Sequence, residues 1–143
     1  MADLINFYST TDFDISNQEE FRLWLLSVIK SEQKTLGELT YVFCSDEYLL
    51  DINQSYLQHD TLTDIITFDY TEGDSISAEI YISIDRVKEN AKEFGVDFEK
   101  ELKRVMAHGV LHCCGYKDST EEEKDLMRAK ENLKIELFHV EQK

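Results

Sequence analysis

The sequence contains no proline and only five glycines. No Pro/Gly/Ser-rich linker divides it, and no internal repeat or low-complexity run interrupts it. At 143 residues it suits one domain, read here as residues 1–143. Its three cysteines, Cys44, Cys113 and Cys114, are an odd count with two adjacent. That excludes a disulfide framework and points to a reducing cytoplasm. No apolar run approaches the length of a membrane span. The opening MADLINFYST lacks both a basic n-region and an apolar h-region, so neither a membrane protein nor a secreted one is expected. Basic residues are scarce, with fifteen Lys and Arg against thirty Asp and Glu, a formal net charge of −15. Such a surface repels phosphate backbones at long range and excludes a general nucleic-acid binder; DNA is not an expected partner. Nucleic-acid activity would need a local basic patch, a metal or a guiding partner protein. Against these lacks stand 42% hydrophobic and 11% aromatic residues, enough for a real core.

Periodicity divides the chain into elements. Residues 4–8 (LINFY) read as a strand. Ser16 to Glu19 reads as a capping box. Phe21, Trp24, Leu25, Val28 and Ile29 then recur at helical spacing to about Lys34. Leu39 to Cys44 is a second strand. Ser45 caps a helix carrying Leu49, Leu50, Ile52 and Tyr56. Asp64 to Tyr70 and Ala78 to Ser83 are two more strands, separated by a turn at Glu72 to Ser75. Asp85 to Phe94 reads as a helix ending at Gly95, and Asp97 caps the next, whose stripe runs from Phe98 to Leu111. A box at Ser119 to Glu122 starts the last helix, with Leu126, Met127, Leu133, Ile135, Leu137 and Phe138 as apolar positions. The order predicts an α+β fold: a four-stranded mixed sheet packed with about five helices.

The segment His108-Gly-Val-Leu-His112-Cys-Cys-Gly115-Tyr-Lys-Asp118 carries the chemistry. Two histidines at i and i+4 share one helical face. Gly115 permits a sharp turn, so that Asp118 can return as a third, oxygen ligand. Two histidines and a carboxylate leave a fourth position open, the pattern of a catalytic zinc site at the end of the HxxxH helix. Zinc there lowers the pKa of a bound water and polarises a scissile phosphoryl or carbonyl group. A histidine pair alone more often just packs; the glycine and the spaced acid turn the balance. The spacing also resembles the metzincin peptidases, which need a glutamate directly after the first histidine. That position is Gly109, which demotes a peptide-hydrolase reading.

This segment resembles the signature of the YbeY family, His-Gly-x-Leu-His-x-x-Gly-Tyr-x-His. His108, Gly109, Leu111, His112, Gly115 and Tyr116 match it, and Asp118 replaces the usual third histidine. Tyr56 to Phe68 resembles the family's Tyr-Arg-x-x-Asp-x-Pro-Thr-Asp-Val-Leu-Ser-Phe stretch, and Ala78 to Ser83 its Gly-Asp-Ile-x-Ile-Ser strand. The resemblance covers about residues 40–138. It implies a cytoplasmic, metal-dependent, single-strand-specific endoribonuclease acting on 16S ribosomal RNA precursors in ribosome maturation or quality control. His108, His112 and Asp118 would hold one Zn²⁺, the two histidines being catalytic as metal ligands. Docking would rely on ribosomal-subunit proteins, given the acidic surface. Two departures matter: Leu57 stands where the family has an arginine, and Leu62 where it has proline. Arg104 or Lys117 are the candidate replacements for that cation. The alternatives are a non-catalytic ribosome-assembly factor with a structural zinc, and a metal-dependent hydrolase of another bond, such as a peptide.

Other residues carry lesser expectations. Cys113 and Cys114 follow His112 by about 100° and 200° of helical rotation and should pack as small apolar groups. Glu79 alternates outward as an exposed carboxylate, with support of a ligand histidine as the rarer option. His59 is balanced between cleft and surface, and His139 reads as solvated. Asp60, Thr63 and Asp64 shape the turn into a strand. Phe21 and Trp24 are core residues rather than a base-stacking platform.

Overall fold

A computed structural model describes residues 4–56 and 63–141. Leu57, His59, Asp60 and Leu62, and the side chain of His139, lie outside the described residues. The elements, in chain order, are β1 (Ile5–Ser9), α1 (Gln18–Ser31), β2 (Thr35–Cys44), α2 (Asp46–Tyr56), β3 (Ile65–Asp69), β4 (Ser75–Ser83), α3 (Ile84–Phe94), α4 (Phe98–Cys113) and α5 (Glu121–Glu141). The sheet order is β1-β2-β4-β3. β1 and β2 run parallel, as do β2 and β4, while β3 is antiparallel to β4. The predicted four-stranded mixed sheet with five helices is what forms.

The period of two in the strands sorts side chains between the two faces. Leu39, Tyr41 and Phe43 of β2 and Ile76, Ala78, Ile80 and Ile82 of β4 point into one core with α1, α3, α4 and the end of α5. On the opposite face Cys44 and Ile66 meet Leu49 and Ile52 of α2 in a smaller cluster. Trp24 is fully buried, edge-on to Phe21 and Phe138, and its indole N–H donates to the carbonyl of Lys134 at 2.7 Å. α5 is thereby fastened to α1, as the core assignment of Phe21 and Trp24 anticipates.

Several boundaries differ from the expectation. β2 starts at Thr35 because a register shift between Leu36 and Leu39 lets it pair with β4 from Ser75 onward. Polar residues at the start of β4 hide that extension from a hydrophobic pattern. Both N-caps lie one residue beyond the expected ones, and only the second keeps its capping box. Asn17 is the N-cap of α1 and makes no side-chain cap bond. At α5 the reciprocal pair is Thr120 and Glu123: the Glu123 N–H donates to Thr120 Oγ1 at 3.1 Å, and the Thr120 N–H to Glu123 Oε1 at 3.0 Å. Leu126 and Leu133 are half-exposed rather than core. Among the described residues no helix is long and apolar enough to cross a membrane.

Candidate metal centre

α4 crosses the sheet over β3 and β4, and the contact needs a missing side chain. A Cβ at Gly109 would sit 2.9 Å from Ile80 Cδ1 and 3.2 Å from Ile65 Cδ1. Glycine lets the helix approach closely while His108 and His112 face outward from the contact. The position that a metallopeptidase fills with its base therefore holds no side chain. The helix ends at Cys114, and Gly115 turns the chain with φ 106°, a conformation that favours glycine. The loop returns over the end of α4 and presents Asp118.

The three expected ligands come together. The two imidazoles lie edge-on with centroids 4.7 Å apart. Asp118 Oδ2 is 3.2 Å from His108 Nε2 and 3.6 Å from His112 Nε2. One donor atom from each residue lies within 4.8 Å of the others. Ligands ~2.0–2.1 Å from a tetrahedral zinc ion are ~3.3 Å apart, close to the two separations that Asp118 makes with the histidines. The histidines and the carboxylate are also the donor types that zinc accepts.

A fourth residue fixes one ligand. Glu131 Oε2 lies 2.7 Å from His108 Nδ1. That contact orients the ring and leaves Nε2 toward Asp118, the carboxylate–histidine pairing that supports metal ligands. Glu131 is buried and is held in turn by Arg104 Nη1 at 3.3 Å. Burial would depress the pKa of His108, but the hydrogen bond and charge of Glu131, with Asp118 and Asp64 adding, reverse this and raise it. Glu79 is exposed, as its alternation along β4 leads one to expect, and lies beside Tyr48 and Tyr81 in a separate hollow. The sequence did hold a signal for Glu131. It lies between Met127 and Ile135 at spacings of four, on the buried stripe of α5.

The loop is anchored from the other side. Tyr116 OH donates to Glu32 Oε1 at 2.8 Å, while Glu32 Oε2 pairs with Lys134 Nζ at 2.7 Å. Burial works against ionisation of Glu32, yet Lys134, Tyr116 and Lys130 together hold its pKa below the ordinary value. The acid stays charged and grips the turn two residues before Asp118.

The ligands open on a cavity of about 690 Å³ between β3, α4 and α5. Arg104 lines it but is committed to Glu101 at 3.5 Å, Glu131 at 3.3 Å and Asn132 at 3.0 Å. Lys117 is not among the lining residues. The cleft cations that the sequence reading missed are Lys124 and Arg128 of α5. Thr63 and Asp64 shape the entry to β3 as expected: Thr63 Oγ1 donates to the Ile65 carbonyl, and the Asp64 carbonyl accepts from Ser83. Both also line the cleft, and the Asp64 carboxylate accepts from Asn90 Nδ2 at 3.3 Å. Burial raises the pKa of Asp64. Neither cysteine of the motif reaches the cavity. Burial pushes the Cys113 thiol up to about 12 and the Cys114 thiol to about 11, so both remain protonated packing groups.

Comparison with known proteins agrees with this architecture. The family model described as Endoribonuclease YbeY matches residues 5–138. A Flavobacterium johnsoniae protein named Endoribonuclease YbeY is 58% identical over 139 residues, covering 97% of this chain and all of the relative. A Bacteroides thetaiotaomicron protein of the same name is 47% identical, over 83% of this chain and 86% of its own. Among solved structures, the solution structure of TM1509 from Thermotoga maritima superposes with a TM-score of 0.68 at 28% identity, over 96% of this chain and 91% of that one. With a matching family model along almost its whole length and relatives this similar, the chain belongs to the YbeY family.

Proposed function

We propose that the chain is a zinc-dependent endoribonuclease that cleaves single-stranded regions of ribosomal RNA precursors during 16S maturation or quality control. The observation that carries the reading is the donor triad His108, His112 and Asp118, within 4.8 Å of one another in a chain whose relatives are named endoribonucleases. The whole chain forms the metallohydrolase unit, with the sheet as scaffold and α4, α5 and the 114–120 loop as the working parts.

In this reading His108 and His112 offer Nε2 atoms and Asp118 offers Oδ2 to the ion. Zinc bound there supplies Lewis acidity toward a phosphodiester oxygen and lowers the pKa of a water molecule. Glu131 keeps the His108 ring in one orientation and one tautomer, so that Nε2 remains an acceptor. Arg104 compensates the buried Glu131 charge. Aspartate in place of a third neutral ligand lowers the net charge of the centre and makes the water less acidic than three histidines would. The −15 net charge supports docking through basic ribosomal-subunit proteins rather than through RNA alone. Three free thiols support a reducing cytoplasm as the site of action.

The test is cleavage by the zinc-loaded chain of a single-stranded RNA, its duplex form and isolated ribosomal subunits, with His112→Ala alongside. The expected result is zinc-dependent cleavage of unpaired RNA, stronger on subunits than on protein-free RNA, and none by a folded His112→Ala variant. No cleavage of any of the three by the zinc-loaded wild type would overturn the reading in favour of a non-catalytic assembly factor.

A further inference from the structure

The cleft extends well past the ligands, and its far wall is built differently from its metal end. Phe94, at the last turn of α3, is 52% exposed and lines the cavity. The Arg128 guanidinium lies over its ring, 5.9 Å from the centroid. Lys124, one helical turn before Arg128 on α5, lines the same cavity, and no ion pair to it is found among the described residues. Residues at i and i+4 are neighbours, with Cβ atoms ~5–6 Å apart. Two of the cavity's carboxylates are engaged elsewhere: Glu131 holds His108 and Arg104, and Asp64 accepts from Asn90. Arg128 reaches Glu131 only at 3.7 Å and its side chain is 55% exposed. An acidic chain thus places an exposed aromatic ring and two exposed cleft cations on one wall.

We propose that Phe94, Lys124 and Arg128 form the strand-binding subsite of the cleft, Phe94 stacking one unpaired nucleobase and Lys124 and Arg128 pairing with the flanking phosphates. The inference rests on the endoribonuclease reading and deepens it. It places the substrate strand along α5, and it gives single-strand preference a physical cause. A base can lie on the Phe94 ring only when it has left its own helix, because a paired base presents an edge and not a face. Arg128 serves twice, as a cation for phosphate and as a planar group that stacks beside the ring. The arrangement also answers the absence of arginine at position 57, since α5 supplies two cations to the same cleft.

The test measures binding of a short, fluorescently labelled single-stranded RNA to the zinc-loaded protein by anisotropy, over a series of salt concentrations. A 2′-O-methyl phosphorothioate backbone keeps the probe intact. Phe94→Ala should weaken binding by about 5- to 150-fold, the range for loss of one base–aromatic stack. Lys124→Ala with Arg128→Ala should weaken it and flatten the salt dependence by ~1.4 in slope, about 0.7 for each phosphate no longer neutralised. Lys88→Ala removes one charge from α3 outside the cleft and should leave affinity and slope nearly unchanged. Zinc content should match wild type in all variants. A blunt RNA duplex should bind Phe94→Ala and wild type alike. Wild-type affinity in Phe94→Ala and in the double variant, with RNA still bound and cleaved by wild type, would overturn the subsite and leave the endoribonuclease reading standing. An effect of Lys88→Ala as large, per charge, as that of the double variant would also overturn it, showing diffuse attraction. Failure of wild type both to bind and to cleave RNA would remove both.

Discussion

The two sides of the candidate metal centre are built from unlike material. His108 stands on a regular helix, mostly buried, its Nδ1 held at 2.7 Å by a carboxylate that is itself paired to Arg104. Asp118 stands on a short loop and is 42% exposed. The loop is pinned at its ends, by Tyr116 on Glu32 and by the Thr120–Glu123 cap, rather than at the ligand itself. One side is pre-organised by a buried polar network, the other by anchors two residues away. The helix side should therefore set ring orientation and affinity, and the loop side should decide whether the site closes at all. A ligand on a loop is also the easier one to exchange between residue types, and it is here that aspartate replaces the family's usual histidine.

The comparison is broken most directly by removing the loop ligand. Asp118→Ala should lose zinc on dialysis while leaving the metal-free thermal midpoint nearly unchanged, because the side chain is partly exposed and its ion-pair contacts are with the two histidines. Metal analysis with differential scanning fluorimetry checks both halves. On the helix side, Glu131→Gln should cost about 10- to 100-fold in zinc affinity by freeing the His108 ring, read by competition with a chromogenic chelator. Glu131→Ala would in addition take one charged partner from Arg104, which keeps Glu101 and Asn132, and should cost about 1–3 kcal/mol of stability in urea. Proton competition comes next. The raised pKa of His108 means that the metal-free site keeps its proton to higher pH than a free imidazole. Zinc affinity should fall by up to about tenfold per pH unit once the pH drops below that pKa. In Glu131→Gln the fall should begin at lower pH, because the main group raising that pKa has lost its charge. The smallest effect belongs to the loop anchor. Tyr116→Phe removes one hydrogen bond to a charged acceptor, about 1.5–3 kcal/mol if fully expressed. Part of this should appear as weaker zinc binding at unchanged helix content. An equal loss of stability with no change in zinc affinity would show that the anchor does not position Asp118.

Much of this centre was legible in sequence because its ligands lie within one motif, where helical spacing and a glycine turn suffice to bring them together. The sheet was legible for a similar reason, as Ile80 and Ile82 alternate with Glu79 and Tyr81 in a local pattern. What escaped depends on elements distant in the chain. Glu131 supports His108 from a helix 23 residues away, and only its place on the buried stripe of α5 marks it. Arg104 looked like a free cation because two of its three partners, Glu131 and Asn132, are joined to it by the packing of α4 on α5. Lys124 and Arg128 belong to no motif, and only the fold sets their face of α5 along the cleft. The capping box of α5 slipped because neighbouring Ser119 and Thr120 are each competent caps, and packing decides between them.

The central claim is that His108, His112 and Asp118 act together as one metal centre. Cobalt titration of the metal-free chain, followed by visible absorption, tests it most directly. The account predicts saturation at one ion per chain, with the intense absorption of a four-coordinate site in wild type and its loss in Asp118→Ala. Absence of saturable binding in wild type, or the same spectrum and stoichiometry in Asp118→Ala, would contradict it.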